Sequence, residues 1–124
     1  MREIKFRAWD RMRRKIVNVV VLSFEKDVLG FDDGDAIEYG NMKDFVLMQY
    51  TGLNDVNGNP IYKGDVVKDN NRDFETLGVI GFEFGSFRIN GGDFKYMATL
   101  EEYCDGLTVI GNKFKNPELL EGTE

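Results

Sequence analysis

The sequence predicts a mainly β fold: a curled antiparallel sheet or small barrel, carrying an N-terminal β-hairpin layer and one short helix. Three observations lead there. Short apolar runs repeat with a period of two, glycine-bearing turn signals separate them at close spacing, and only one stretch has the chemistry of a helix start. With 124 residues the chain fits one domain around one core.

The first strand is expected near the start, where Ile4, Phe6 and Ala8 share one face and Lys5, Arg7 and Trp9 the other. Trp9 then needs cover. Ile16 to Phe24 is dense in Val and Ile, whose branched side chains crowd a helix, so it reads as a partner strand across the polar stretch Asp10 to Lys15. Val28 to Phe31 and Ala36 to Tyr39 flank Asp32-Asp33-Gly34-Asp35, and the Asp-Gly pair predicts a second hairpin. Phe45 to Tyr50 suits a strand better than a helical turn.

Asn57-Gly58 is the sharpest turn signal, because both central residues of a type I′ turn need positive φ and these two tolerate it best. The run Ile61 to Val67 reads as a strand broken at Gly64, as at a bulge or a sharp corner. Leu77 to Phe84 and Ser86 to Asn90 follow, separated by Gly85. Gly91-Gly92 offers another turn into an arm from Asp93 to Met97, and Leu107 to Phe114 closes the set. Thr99 to Cys104 is helical by its capping box, in which Glu102 reaches back to Thr99. Asn116-Pro117 stops the last strand, and the extreme end should fray. The expected organisation is a single domain over 1–124. Within it, 1–47 forms the hairpin layer, 48–115 a small β-barrel part and 116–124 a C-terminal tail.

Composition excludes several function classes. The chain has no histidine and one cysteine, Cys104, which removes His-based acid–base catalysis, triads built on His, and multi-Cys or Cys/His zinc sites. No apolar run approaches the length of a bilayer span and the start lacks a signal-peptide core, so a cytoplasmic protein with no membrane partner is expected. Glu83, Asp93, Glu101 and Glu102 are the carboxylates from which a hydrolytic pair would be drawn, but their separation is not readable. Asp32, Asp33 and Asp35 read as a solvated turn. Asp55 to Asn59 starts like a calcium loop, yet Pro60 stands where that loop needs glycine and Val66 where it needs glutamate. Gly78, Gly81 and Gly85 lack the following helix of a phosphate loop. Cys104 reads as structural, since nothing cationic lies near it in sequence. No cofactor, metal, catalytic residue or small-molecule substrate is expected.

Charge supplies the candidate binding site. Residues 1–15 hold seven bases and two acids, net +5, on a chain whose net charge is -6. An anionic partner would therefore meet Arg2, Lys5, Arg7, Trp9, Arg11, Arg13, Arg14 and Lys15. Internal pairing with the acidic body is the competing use of these residues. Sixteen aromatics raise base stacking as a further use, which the acidic charge of the rest of the chain disfavours.

Three blocks carry a family likeness. MREIKFRAWD at residues 1–10, MQYTGLNDVNGNPIYKGDVV at 48–67 and VIGNKFKNPELL at 109–120 together resemble the YopX family, small proteins of phages, prophages and related mobile elements. The resemblance implies a mainly β protein with an SH3-like small-barrel component, made in a bacterial host cell, with no established enzymatic activity and no site residues to transfer. Residues 17–47 and 69–97 match no pattern. The expected function is a non-enzymatic phage accessory protein that binds a protein partner or itself through strand edges or an aromatic patch. The alternative is a nucleic-acid-binding module using the basic N-terminal segment.

Overall fold

A computed structural model describes residues 3–72 and 75–121. The chain is mainly β, in two antiparallel sheets, and neither closes into a barrel. The first sheet contains β1 (Phe6–Asp10), β2 (Lys15–Ser23), β3 (Val28–Asp32), β4 (Ile37–Asn41), β5 (Phe45–Asn54) and β6 (Pro60–Tyr62) in the order β4-β3-β2-β1-β5-β6. The second contains β7 (Asp65–Asp69), β8 (Leu77–Glu83), β9 (Ser86–Asn90) and β10 (Leu107–Asn112) in the order β10-β7-β8-β9.

The first two hairpins form where the alternation and the turn residues place them. At the β1–β2 turn the Asp10 carboxylate accepts from the N–H groups of Met12 and Arg13 at 3.0 and 3.2 Å. Asp32 and Asp33 do the same at the β3–β4 turn, accepting from Gly34, Asp35 and Ala36. Short polar side chains thus satisfy the N–H groups that a tight turn leaves unpaired. β2 is longer than its partner β3, and the register shifts between Val19 and Val21, which bends the sheet and places Val20 and Val21 outward.

Residue 48 lies inside β5, and the chain changes sheet at Lys63-Gly64. Gly64 has φ +92°, and a Cβ there would meet Met48 Sδ at 3.1 Å, so the corner foreseen at this glycine requires it. The expected single core is divided into three clusters. Ala8, Val17, Leu29, Phe31 and Phe45 fill the concave side of the first sheet; Trp9, Met48, Tyr50 and Tyr62 fill the seam between sheets; Ile61, Val67, Ile80, Ile89, Leu100 and Leu107 are prominent in the cluster under the second sheet.

The helix is α1 (Leu100–Tyr103), with the capping box in place: the Glu102 carboxylate accepts from the Thr99 N–H at 3.2 Å and its hydroxyl at 3.0 Å. Two expectations need correction. Asn57-Gly58 joins β5 to β6, but only Gly58 has positive φ, +84°. Asp55 widens the loop by accepting from the N–H groups of Asn57 and Asn59, both at 2.9 Å, so no type I′ turn forms. Among the described residues two expected turns do have consecutive positive φ values: Phe84-Gly85 at +53° and +79°, and Gly91-Gly92 at +102° and +56°. Asp93 to Met97 is not a strand: Phe94 is buried while Tyr96 is 89% exposed, and the only extended pairing nearby is the bridge from Arg88 to Thr99. Residues Pro117–Leu120 form a 3-10 turn packed on Gly111 through Leu119. Of the tail expected to fray, residues 122–124 lie outside the described part.

Candidate functional site

The structure divides the basic segment instead of gathering it. Arg2 lies outside the described residues. Arg7 and Trp9 share one face of β1, with Lys5 just before the strand on the same side, as the alternation predicts, and that face is turned onto the seam between sheets. Lys5 lies 4.5 Å over the Tyr50 ring, Arg7 lies 3.8 Å over the Tyr62 ring, and Trp9, only 8% exposed, stacks on Phe114 with centroids 6.1 Å apart. Phe114 is the cover that Trp9 needs, so its indole is unavailable for stacking on a ligand. Arg11, Arg14 and Lys15 are exposed around the β1–β2 turn, while Arg13 crosses to Glu38.

The three sequence blocks meet at the seam. Asp65 is 1% exposed, and its carboxylate accepts from the Tyr62 N–H at 2.8 Å and from Asn112 Nδ2 at 3.3 Å. Burial pushes the Asp65 carboxyl above its ordinary range, against the pull of the Tyr62 N–H, the Arg7 guanidinium and Asn112. Both oxygens are engaged: one accepts from Tyr62 of β6, and the other faces Asn112 of β10 and Arg7 of β1. Asp55 makes a second tie, since its other oxygen accepts from the Val109 N–H at 2.9 Å and so fixes the β5–β6 loop to β10.

Two of the residues weighed for chemistry, Glu102 and Cys104, are committed to other roles. Glu102 is bound by Lys95 at 2.8 Å, which with its other hydrogen bonds holds its carboxyl down at about 2. Burial, with Asp105 beside it, pushes the Cys104 thiol up, away from thiolate reactivity. Among the described residues no group of three or more His, Cys, Asp or Glu side chains is placed to hold a metal ion. No described helix is long and apolar enough to cross a membrane.

Two surfaces remain that the sequence reading did not single out. The first is the tip of the β8–β9 hairpin. Phe82 pairs across the strands with Phe87, ring edge to face at 5.0 Å, and is 49% exposed. Phe84 at the tip is 76% exposed in a left-handed backbone conformation. A pocket of about 170 Å³ lies beside it, between Phe82, Phe87, Leu53 and Leu100. Arg88 steadies the hairpin by donating to the carbonyls of Glu83 at 3.0 Å and Met97 at 2.8 Å.

The second is a groove of about 410 Å³ between β4 and the β1–β2 turn, with Phe31, Tyr39 and Phe45 in its lining and Asp10, Glu38 and Asp44 around them. The Arg13 guanidinium reaches into it, 3.2 and 3.4 Å from the two Glu38 oxygens and 5.6 Å over the Phe31 ring. Arg13 and Glu38 are 25 residues apart. No local motif links them. The sequence signal for Phe84 was present as a phenylalanine beside Gly85, in a position that favours Asn or Gly.

The model of the family described as YopX protein matches residues 5–121. The chain belongs to the YopX family. The match also spans residues 17–47 and 69–97, where no pattern was legible. The crystal structure of protein EF1440 from Enterococcus faecalis is similar to this YopX-family chain, with TM-score 0.74, 28% identity, and coverage of 98% of this chain and 100% of that one. Protein yopX from Bacillus subtilis shares the fold, with TM-score 0.58, 20% identity, and coverage of 94% and 98%. No curated protein matches the chain.

Proposed function

We propose that this YopX-family chain is a non-enzymatic protein-interaction module, an accessory protein of phage or prophage origin acting inside the bacterial host cell. It engages a partner protein through the aromatic tip of the β8–β9 hairpin. One observation carries the reading: Phe84 holds φ +53° with 76% of its surface exposed. A bulky residue at positive φ costs about 1–2 kcal/mol that Asn or Gly would largely avoid. The ring gains little packing in return, so the position makes sense as an anchor for another protein, where exposed aromatics contribute most of the binding energy.

Co-purification from host lysate with wild-type chain and Phe84→Asn, each checked for folding by circular dichroism, tests this. A protein retained by the wild type and lost by the variant is the expected result. Equal retention by both, or none by either, removes the reading.

The nucleic-acid alternative has less to draw on. Lys5 and Arg7 are seated on tyrosine rings and Trp9 is buried, leaving Arg11, Arg14 and Lys15 as the exposed basic group beside the Asp32–Asp35 turn. An anisotropy titration with single- and double-stranded DNA at low salt decides it.

A further inference from the structure

We propose that the groove beside β4 is a second binding site, one that takes an extended, arginine- or lysine-bearing segment of a partner protein and adds it as a strand to the β4 edge. β4 ends the six-stranded sheet and is paired on one side only, with β3. Its other edge offers backbone N–H and C=O groups to a new strand. Its five residues suit a segment of about five to six residues at roughly 3.4 Å per residue.

The groove's chemistry selects the occupant. Gly40 has no side chain, and a Cβ there would meet the Phe45 ring at 2.8 Å, so the aromatic floor comes right up to the edge strand. Asp10, Glu38 and Asp44 surround that floor against one cation, Arg13. The exposed carboxylates of Asp32, Asp33 and Asp35 on the adjoining turn are offset by Arg11, Arg14 and Lys15 beside them, so the selecting charge is that of the groove lining. Within the groove itself a guanidinium or ammonium gains both the carboxylates and the ring faces. Arg13 displays that seat already in use: it is held by Glu38 over Phe31 while 49% of its side chain stays exposed. An incoming cation competes with Arg13 for Glu38, so Arg13 acts as a placeholder that lowers affinity until displaced.

The test uses the full chain and a fluorescein-labelled peptide of about eight residues alternating valine and arginine, with a valine–glutamate peptide beside it. Anisotropy at low salt should show binding of the arginine peptide alone. Glu38→Gln should weaken it about tenfold, and Arg13→Ala should tighten it severalfold while Arg14→Ala, an exposed cation outside the groove, changes little. Amide exchange of Ile37–Asn41 should slow on binding. Equal affinity for wild type, Glu38→Gln and Arg13→Ala overturns the proposal. So does equal binding of the glutamate peptide, or protection, in the absence of any peptide, of the β4 amides that point away from β3, which would give the edge to a second copy. Phe84→Asn leaves peptide binding unchanged, so this site and the hairpin tip fail independently.

Discussion

Arg7 lies 3.8 Å from the buried carboxylate of Asp65, an ion pair that, alone among the described residues, crosses from the first sheet to the second and joins a largely covered cation to a carboxylate that is 1% exposed. The guanidinium also covers the Tyr62 ring at 3.8 Å. Arg7→Met keeps the apolar stem and removes the charge, leaving Asp65 with hydrogen bonds alone. The expected cost at neutral pH is about 1–3 kcal/mol. Its pH dependence has a definite sign. Asp65 has a folded-state pKa above 3.8, so it holds its proton to higher pH folded than unfolded. Its contribution to stability is therefore greatest below 3.8 and falls as pH rises toward the folded value. Removing Arg7 raises that value further, so urea denaturation should show the penalty shrinking as pH is lowered to about 4. A penalty that does not change with pH would mean Arg7 acts through packing only.

Glu102 behaves in the opposite sense. Its folded pKa of about 2 lies below the ordinary 4.5, so the stability it supplies is present above 4.5 and is lost as pH falls toward 2. Both Glu102 and Lys95 are exposed, so salt should weaken their pairing. Carboxyl-resolved NMR should place the Glu102 midpoint near 2, and Glu102→Gln should flatten the acid limb of the thermal midpoint curve. A midpoint at or above about 4 would show that the capping interaction is not held in solution.

The loop between β5 and β6 separates the two residues of the Asn57-Gly58 pair. Gly58 has φ +84° with open space around it, whereas Asn57 does not have positive φ. Gly58→Ala should cost about 1–2 kcal/mol and Asn57→Ala no more than about 0.5. Similar costs for the two, measured by denaturant midpoint, would restore the type I′ turn.

That loop also marks how far the sequence could be read. Alternation, a lone glycine and a capping pair are local signs, and they made the ten described strands, the Gly64 corner and the Thr99–Glu102 cap legible, although the same alternation at Asp93–Met97 belongs to no strand. The shape of the 55–59 loop was not, because Asp55 also serves Val109, 54 residues away, and a carboxylate fixed by both contacts overrides the local turn preference. Burial of Trp9 was foreseen, but its partner Phe114 comes from the far end of the chain. Neither candidate surface was visible for the same reason. Arg13 meets Glu38 only after the first sheet curls, and Phe84 stands out only when its φ and exposure are known.

If Phe84 is retained for contact and not for stability, its replacement should strengthen the fold. Asn and Gly both accept positive φ, so Phe84→Asn and Phe84→Gly should raise stability by about 0.5–1 kcal/mol, while Phe84→Ala keeps a Cβ at φ +53° and should not. The interaction lost is the distant approach of the Arg88 guanidinium, 5.9 Å from the ring centre, which is near the limit at which such contacts contribute. Urea denaturation of the three variants separates backbone relief from side-chain loss, because only relief ranks alanine below the other two. A loss of more than about 1 kcal/mol in Phe84→Asn would mean that the ring packs on the hairpin and supports the fold. The exposed ring would then need no partner to explain it, and the anchor reading of the tip would go with it.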